Sequence, residues 1–231
     1  MSEKSLTSGY RQSPLNILLG IFIFGSIWGA SEAALGGGLN AAGFPYRSAL
    51  LVGIGMAIMG AALVIHRKPI MLLGIGALAM LIKLMAVPIL SVPVMCKVNS
   101  CIAVLLEAVA FTLVGFVLLR QMDKNIYTRM GAGALAATLG AIGFFFIGIQ
   151  VAPCNYLLSF SGNLGGFLTS EGLFWAASSA ILLPLGWMAG EKVNRVTLPW
   201  LVERKPLCYL TSASIVILCW GMSAWVISLG F

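Results

Sequence analysis

The chain is 231 residues long, 60% hydrophobic and only 9% charged, with a formal net charge of +7. A soluble globular fold is excluded, because so few polar groups cannot cover its surface. Nucleic-acid binding is excluded as the reason for the basic excess, since no basic patch is interleaved with exposed aromatics.

Seven apolar runs, near 15–36, 48–65, 70–90, 101–119, 130–150, 172–190 and 207–229, are long enough to cross a bilayer, which needs about 20 helical residues. They predict an all-α, polytopic transmembrane bundle of about seven helices, a single integral membrane domain over residues 1–231. Charge sets the expected orientation. Lys4 and Arg11 precede the first run; Arg67 and Lys68 follow the second; Arg120, Lys124 and Arg129 follow the fourth; Lys192, Arg195, Arg204 and Lys205 follow the sixth. The opposite connections hold only Arg47 and Lys97. The positive-inside rule then places the N-terminus in the cytoplasm and the C-terminus outside a cell (inner) membrane.

Residues 1–14 form a polar cytoplasmic lead ending at Pro14. The first run is too long for a signal-peptide core, and Glu32 sits awkwardly beside a cleavage site, so it reads as an uncleaved helix. Gly25 and Gly29 give it a face for close helix approach. Gly36-Gly37-Gly38 are expected to end or unwind it. The apolar segment 39–47 then folds back at the outer face, where irregular backbone survives only against protein or a watery cavity. In the second helix Gly53, Ala57 and Ala61 share a packing face, and His66 stands at its cytoplasmic end. His66 is the only histidine, which excludes bis-histidine haem ligation within the chain and histidine-rich metal sites.

Three ionisable residues fall inside the membrane runs, where charge is costly and marks either a buried pair or a functional cavity. Counting about 1.5 Å per residue, Lys83 rises roughly 20 Å from the cytoplasmic edge and Glu107 descends roughly 9 Å from the outer edge. The two reach similar depth on consecutive helices, with Glu32 above them near the outer interface. One reading is a Lys83–Glu107 ion pair that fixes helix register. The other is a polar cavity, open to the outside, that binds a solute. Glu32, Asn40, Lys83, Glu107 and Asn155 are the candidate substrate-binding residues, with Asn99, Gln150 and Asn163 also on the outer side.

The fifth run carries a small-residue stripe of Ala132, Ala136 and Gly140, with Gly133 and Ala137 beside it. The connection 150–171 is the longest on the outer side and reads either as a lid or as a passive interfacial segment. In it, Tyr156-Leu157-Leu158 would rest on the membrane or plug the mouth. Pro184 predicts a kink in the sixth helix, and Thr197–Leu201 suits an interfacial helix or docking patch. Cys208 and Cys219 lie in the last helix as small apolar residues. Cys96, Cys101 and Cys154 lie on the outer side, where an oxidising exterior favours a disulfide among them. Cys96–Cys101 and either of these with Cys154 are both open, as are free thiols and redox chemistry.

No phosphate-binding loop, zinc-protease motif or nucleophile elbow occurs, and no cofactor is expected. With seven acidic residues in all, a rich carboxylate metal cage is excluded. Active transport would then draw on an ion gradient or a partner protein.

Ile27-Trp28-Gly29, Glu32, Ala34-Leu35-Gly36, Leu39-Asn40 and Phe44-Pro45, followed by a Gly-rich second helix, Lys83 and Ile102–Glu107, resemble the substrate-binding S components of energy-coupling-factor (ECF) transporters. The resemblance spans roughly the first half of the chain. Such components commonly have six helices. It implies capture of a vitamin or metal ion on the outer side, with uptake through a transmembrane coupling subunit and paired ATPases. Two other classes stand beside it: a membrane thiol-disulfide oxidoreductase using the outer cysteines, and a non-catalytic assembly subunit packing through its small-residue faces.

Overall fold

A computed structural model describes residues 14–151, 155–160, 162–197 and 204–230, apart from the side chains of Cys96, Asn155, Tyr156, Thr197 and Lys205. Described residues form helices and turns without a strand: α1 (Pro14–Ala41), α2 (Arg47–His66), α3 (Met71–Leu84), α4 (Ala86–Leu90), α5 (Met95–Met122) and α6 (Ile126–Val151), then α7 (Asn155–Ser159), α8 (Leu164–Phe167), α9 (Leu173–Lys192) and α10 (Lys205–Ser228). Single π-helical turns, Leu168–Gly172 and Val193–Thr197, join α8 to α9 and extend α9. Seven spans are long and apolar enough to cross a membrane, so the chain is a multi-pass membrane protein.

Six of those spans close a ring. In order around it, α1 packs on α3, α3 on α5, α5 on α6, α6 on α9, α9 on α2 and α2 on α1. The seventh, α10, stands outside and packs on α1 and α4. Trp220 Nε1 of α10 donates to Ser26 Oγ of the ring at 3.0 Å.

Lipid tails are as apolar as leucine, so helices in a bilayer associate through close packing and polar contacts rather than hydrophobic burial. The seams show this. Gly25 and Gly29 lie against Leu78 and Ile82 of α3, as the first small-residue face anticipated. On α2, Gly53 meets Ser178 and Leu182, and the carbonyls of Ala57 and Ala61 run against Gly186 and Gly190 of α9. Gly133 of α6 lies on the Ser179 carbonyl of α9. At the centre Trp28 is fully buried, with Gly55 of α2 and Gly76 of α3 flanking its indole.

Two boundaries differ from expectation. α1 continues through Gly36-Gly37-Gly38 to Ala41. The turn comes later, where Gly43 takes φ +64° and Phe44 N–H donates to the Leu39 carbonyl. Glycine lowers helix propensity by only about 1 kcal/mol, and the apolar surroundings of α1 favour keeping backbone groups paired. α5 begins at Met95, so the Cys96–Cys101 connection is itself helical.

One end of the ring is basic and cross-tied. Arg67 pairs with Asp123. Arg129 meets Glu191 at 3.2 Å and donates from Nε to the Met122 carbonyl at 2.7 Å. The guanidinium carbons of Arg67 and Arg129 lie 5.8 and 5.1 Å from the Trp187 ring. The other end carries the turn at 42–46 and the short helices α7 and α8.

Candidate functional site

A cavity of about 600 Å³ opens at the end opposite the basic one. Every ring helix borders it: Glu32 from α1, Arg47 and Ser48 from α2, Lys83 from α3, Glu107 from α5, Phe144 from α6 and Trp175 from α9. Gly43, Phe44 and Pro45 of the 42–46 turn also line it, so the apolar segment 39–47 does meet the cavity. Below it, about 6 Å deeper along α1 by helical rise, lies the indole of Trp28.

The cavity has two unlike walls. The apolar wall combines Phe144, Phe167 and Trp175, whose ring centroids lie 5.9 to 6.3 Å apart, with Leu157 from α7. Thus Leu157, Phe167 and Glu171 of the 150–171 connection line the cavity. Leu157 and Phe167 are fully buried, while Leu158 is exposed.

The ionisable wall is arranged differently from the expected Lys83–Glu107 pair. Lys83 Nζ donates to Glu32 Oε2 at 2.7 Å, and Trp28 Nε1 donates to Glu32 Oε1 at 3.3 Å. Glu32 therefore does not sit above Lys83 but beside it. The cause is helix register. Gly20 is level with Met71, as its added Cβ would fall 3.1 Å from the Met71 Cε atom. α1 thus starts below the first turn of α3, and Glu32 and Lys83 each lie twelve residues beyond that common level.

Glu107 is left without the lysine. It is 3% exposed, and its Oε2 has no hydrogen-bond partner among the described residues. Asn99 Oδ1, two turns away on α5, is likewise buried and unpartnered among them. Gly140 of α6 makes room for Glu107, with its added Cβ 3.6 Å from the Glu107 Cα.

Lining residues that were not anticipated include Arg47, Ser48, Glu171 and Trp175. Ser48 Oγ donates to Glu171 Oε2 at 2.7 Å and Trp175 Nε1 to the same oxygen at 3.2 Å. The available signal was spacing. Trp28/Glu32, Glu171/Trp175 and Trp187/Glu191 are all four residues apart on helical backbone, where side chains meet, and each indole N–H donates to its carboxylate. Glu107 is the described glutamate without such a tryptophan.

Asn40 is not a lining residue: it is exposed at the mouth, and its Oδ1 accepts from Arg47 Nη1. The Asn155 side chain and Cys154 lie outside the described residues, as does the Cys96 side chain. Cys101 is a buried free thiol. Residues five apart on a helix are separated by about 7.5 Å along its axis, beyond disulfide reach, so an intact α5 does not permit a Cys96–Cys101 bridge. Among the described residues no group of three His, Cys, Asp or Glu is placed to hold a metal ion.

Comparison with family models, with curated proteins and with solved structures gave no match to this chain.

Proposed function

We propose that this membrane protein binds a small solute in the cavity of its six-helix ring and serves as the capture subunit of an uptake system. The observation that carries this is the cavity itself, about 600 Å³ in volume and bordered by all six ring helices. That volume lies within the range of roughly 300–1,000 Å³ usual for small-molecule sites, and an apolar lining with a few convergent polar groups is their usual chemistry. The positive-inside rule supports an outward-facing mouth, since the cross-tied basic end then faces the cytoplasm.

The S-component resemblance supports the same reading. Such components commonly have six helices, and this chain departs from that pattern by a seventh, α10, on the outside of α1. Energy for release inward would come from a transmembrane coupling subunit with ATPases, as the chain carries no nucleotide-binding motif.

The test is native mass spectrometry of the full chain in lipid nanodiscs after exposure to a small-molecule extract of growth medium. The wild type is expected to retain at least one discrete small-molecule mass. Ala103→Trp, which places an indole in the cavity, is expected to lose it. Retention of the same masses by both proteins, or of none by either, refutes the proposal.

A further inference from the structure

The arrangement of the ionisable wall says what kind of solute the cavity takes. Glu32 already accepts two donors, Lys83 on one oxygen and Trp28 on the other. Glu171 accepts Ser48 and Trp175. Arg47 donates to Asn40. Glu107 is buried, is in no ion pair and accepts from no indole among the described residues, and its Oε2 is unmet among them. A second unmet atom, Asn99 Oδ1 two turns away on α5, is also an acceptor. Buried polar atoms are almost always hydrogen-bonded, so each exception calls for an account. N–H donors of a solute would satisfy both atoms.

Charge points the same way. Three carboxylates and two cations line the cavity, and the lysine is committed to Glu32. Phe144, Phe167 and Trp175 line the same cavity as Glu107. Aromatic faces attract planar rings, and they attract cations through the ring quadrupole. A bare metal ion fits neither the cavity volume nor the absence, among the described residues, of a three-ligand cluster.

We infer that the solute is a planar, ring-containing organic cation whose N–H groups donate to Glu107 and whose ring lies against Phe144, Phe167 and Trp175. This rests on the solute-binding reading above and specifies its ligand. Glu107 is the charge-selective contact. Glu32 acts through Lys83 by occupying it, which keeps the lysine from neutralising Glu107.

The test uses three isosteric probes: 2-naphthamidine (cation), 2-naphthamide (neutral) and 2-naphthoate (anion). Each is titrated calorimetrically into the full chain in nanodiscs, with empty nanodiscs as the blank. A hydrogen bond to a charged group is worth about 1.5–3 kcal/mol, so the amidine is expected to bind about ten-fold or more tightly than the amide. Glu107→Gln is expected to bring the two affinities within about two-fold of each other. Glu107→Asp, which retains the charge, is expected to keep a preference for the amidine and guards against misfolding of the glutamine variant. An amidine preference that survives in Glu107→Gln overturns the inference, as does tighter binding of the amide or naphthoate.

The two proposals fail separately. If naphthoate binds best and Ala103→Trp abolishes it, the cavity is a solute site and the cation is refuted. If no probe binds while the wild type still retains a mass lost in Ala103→Trp, the cation is again refuted and solute capture stands. If neither experiment shows binding, both proposals fall.

Discussion

Removal of Lys83 is expected to destabilise the protein strongly, and simultaneous removal of Glu32 is expected to restore most of the loss. The ion pair spans 2.7 Å, with side-chain exposures of 18% for Lys83 and 4% for Glu32. At an effective dielectric constant near 20, two charges at that separation attract by about 6 kcal/mol. Desolvation of the two ions takes back several kcal/mol each, so the pair as a whole contributes little net stability. The single variants are a different matter. Lys83→Met leaves a buried carboxylate supported only by the Trp28 indole at 3.3 Å, and breaking a buried pair in this way costs about 3–5 kcal/mol. The assay is a double-mutant cycle of Lys83→Met, Glu32→Gln and the double variant, read by reversible denaturation in mixed micelles. The expected coupling is about 2 kcal/mol or more, with the double variant closer to wild type than Lys83→Met. Additivity within about 0.5 kcal/mol would show that the two residues do not interact, and would refute the register of α1 on α3 described above.

Gly186→Ala is expected to abolish or severely weaken folding, because its Cβ would fall 2.0 Å from the Ala57 carbonyl oxygen, a backbone atom that cannot rotate away; expression and gel-filtration profile report it. Gly221→Ala meets nothing within 4 Å and is expected to be neutral or to stabilise by about 0.5–1 kcal/mol, measured by the same denaturation. At the basic end, Asp123→Asn is expected to cost less than about 1 kcal/mol, since its pair with Arg67 is solvent-exposed. Arg129→Ala is expected to cost more than Asp123→Asn, because it also frees the Met122 carbonyl and uncovers Trp187; equal effects of the two would show that the Arg129 contacts do not stabilise the end.

The membrane class and the number of spans were legible because hydrophobic length maps directly onto bilayer thickness. The packing faces were legible for the same kind of reason. Gly25/Gly29 and Gly53/Ala57/Ala61 advertise close approach, although the matching Gly186/Gly190 face on α9 was not singled out. Glu32, Lys83 and Glu107 were recognisable as one set, since each is expensive at membrane depth. Which of them pair was not, because depth counted from the start of an apolar run ignores how far one helix slides past another. A slide of a few residues moved Lys83 from Glu107 to Glu32. The aromatic wall was hidden for another reason. Phe144, Leu157, Phe167 and Trp175 come from four elements, and nothing in an apolar stretch says which apolar residue faces a cavity rather than lipid. Glu171 and Trp175 fell near the edge of the expected sixth helix. Only continuity of Leu168–Gly172 with α9 puts them one turn apart on the same face.

The cross-ties at the basic end join the ends of α2, α5, α6 and α9, through Arg67, Asp123, Arg129, Trp187 and Glu191. Neither α1 nor α3 contributes to them. Those two helices are instead coupled to each other, at the level of the cavity, by Glu32 and Lys83. The described ion pairs of the ring therefore fall into two sets, one among α2, α5, α6 and α9 at the base and one joining α1 to α3 at the cavity. A widening of the mouth that keeps both sets of charge pairs would move α1 and α3 together, and would have to give up the Arg47–Asn40 hydrogen bond and the Phe24–His66 ring contact between α1 and α2.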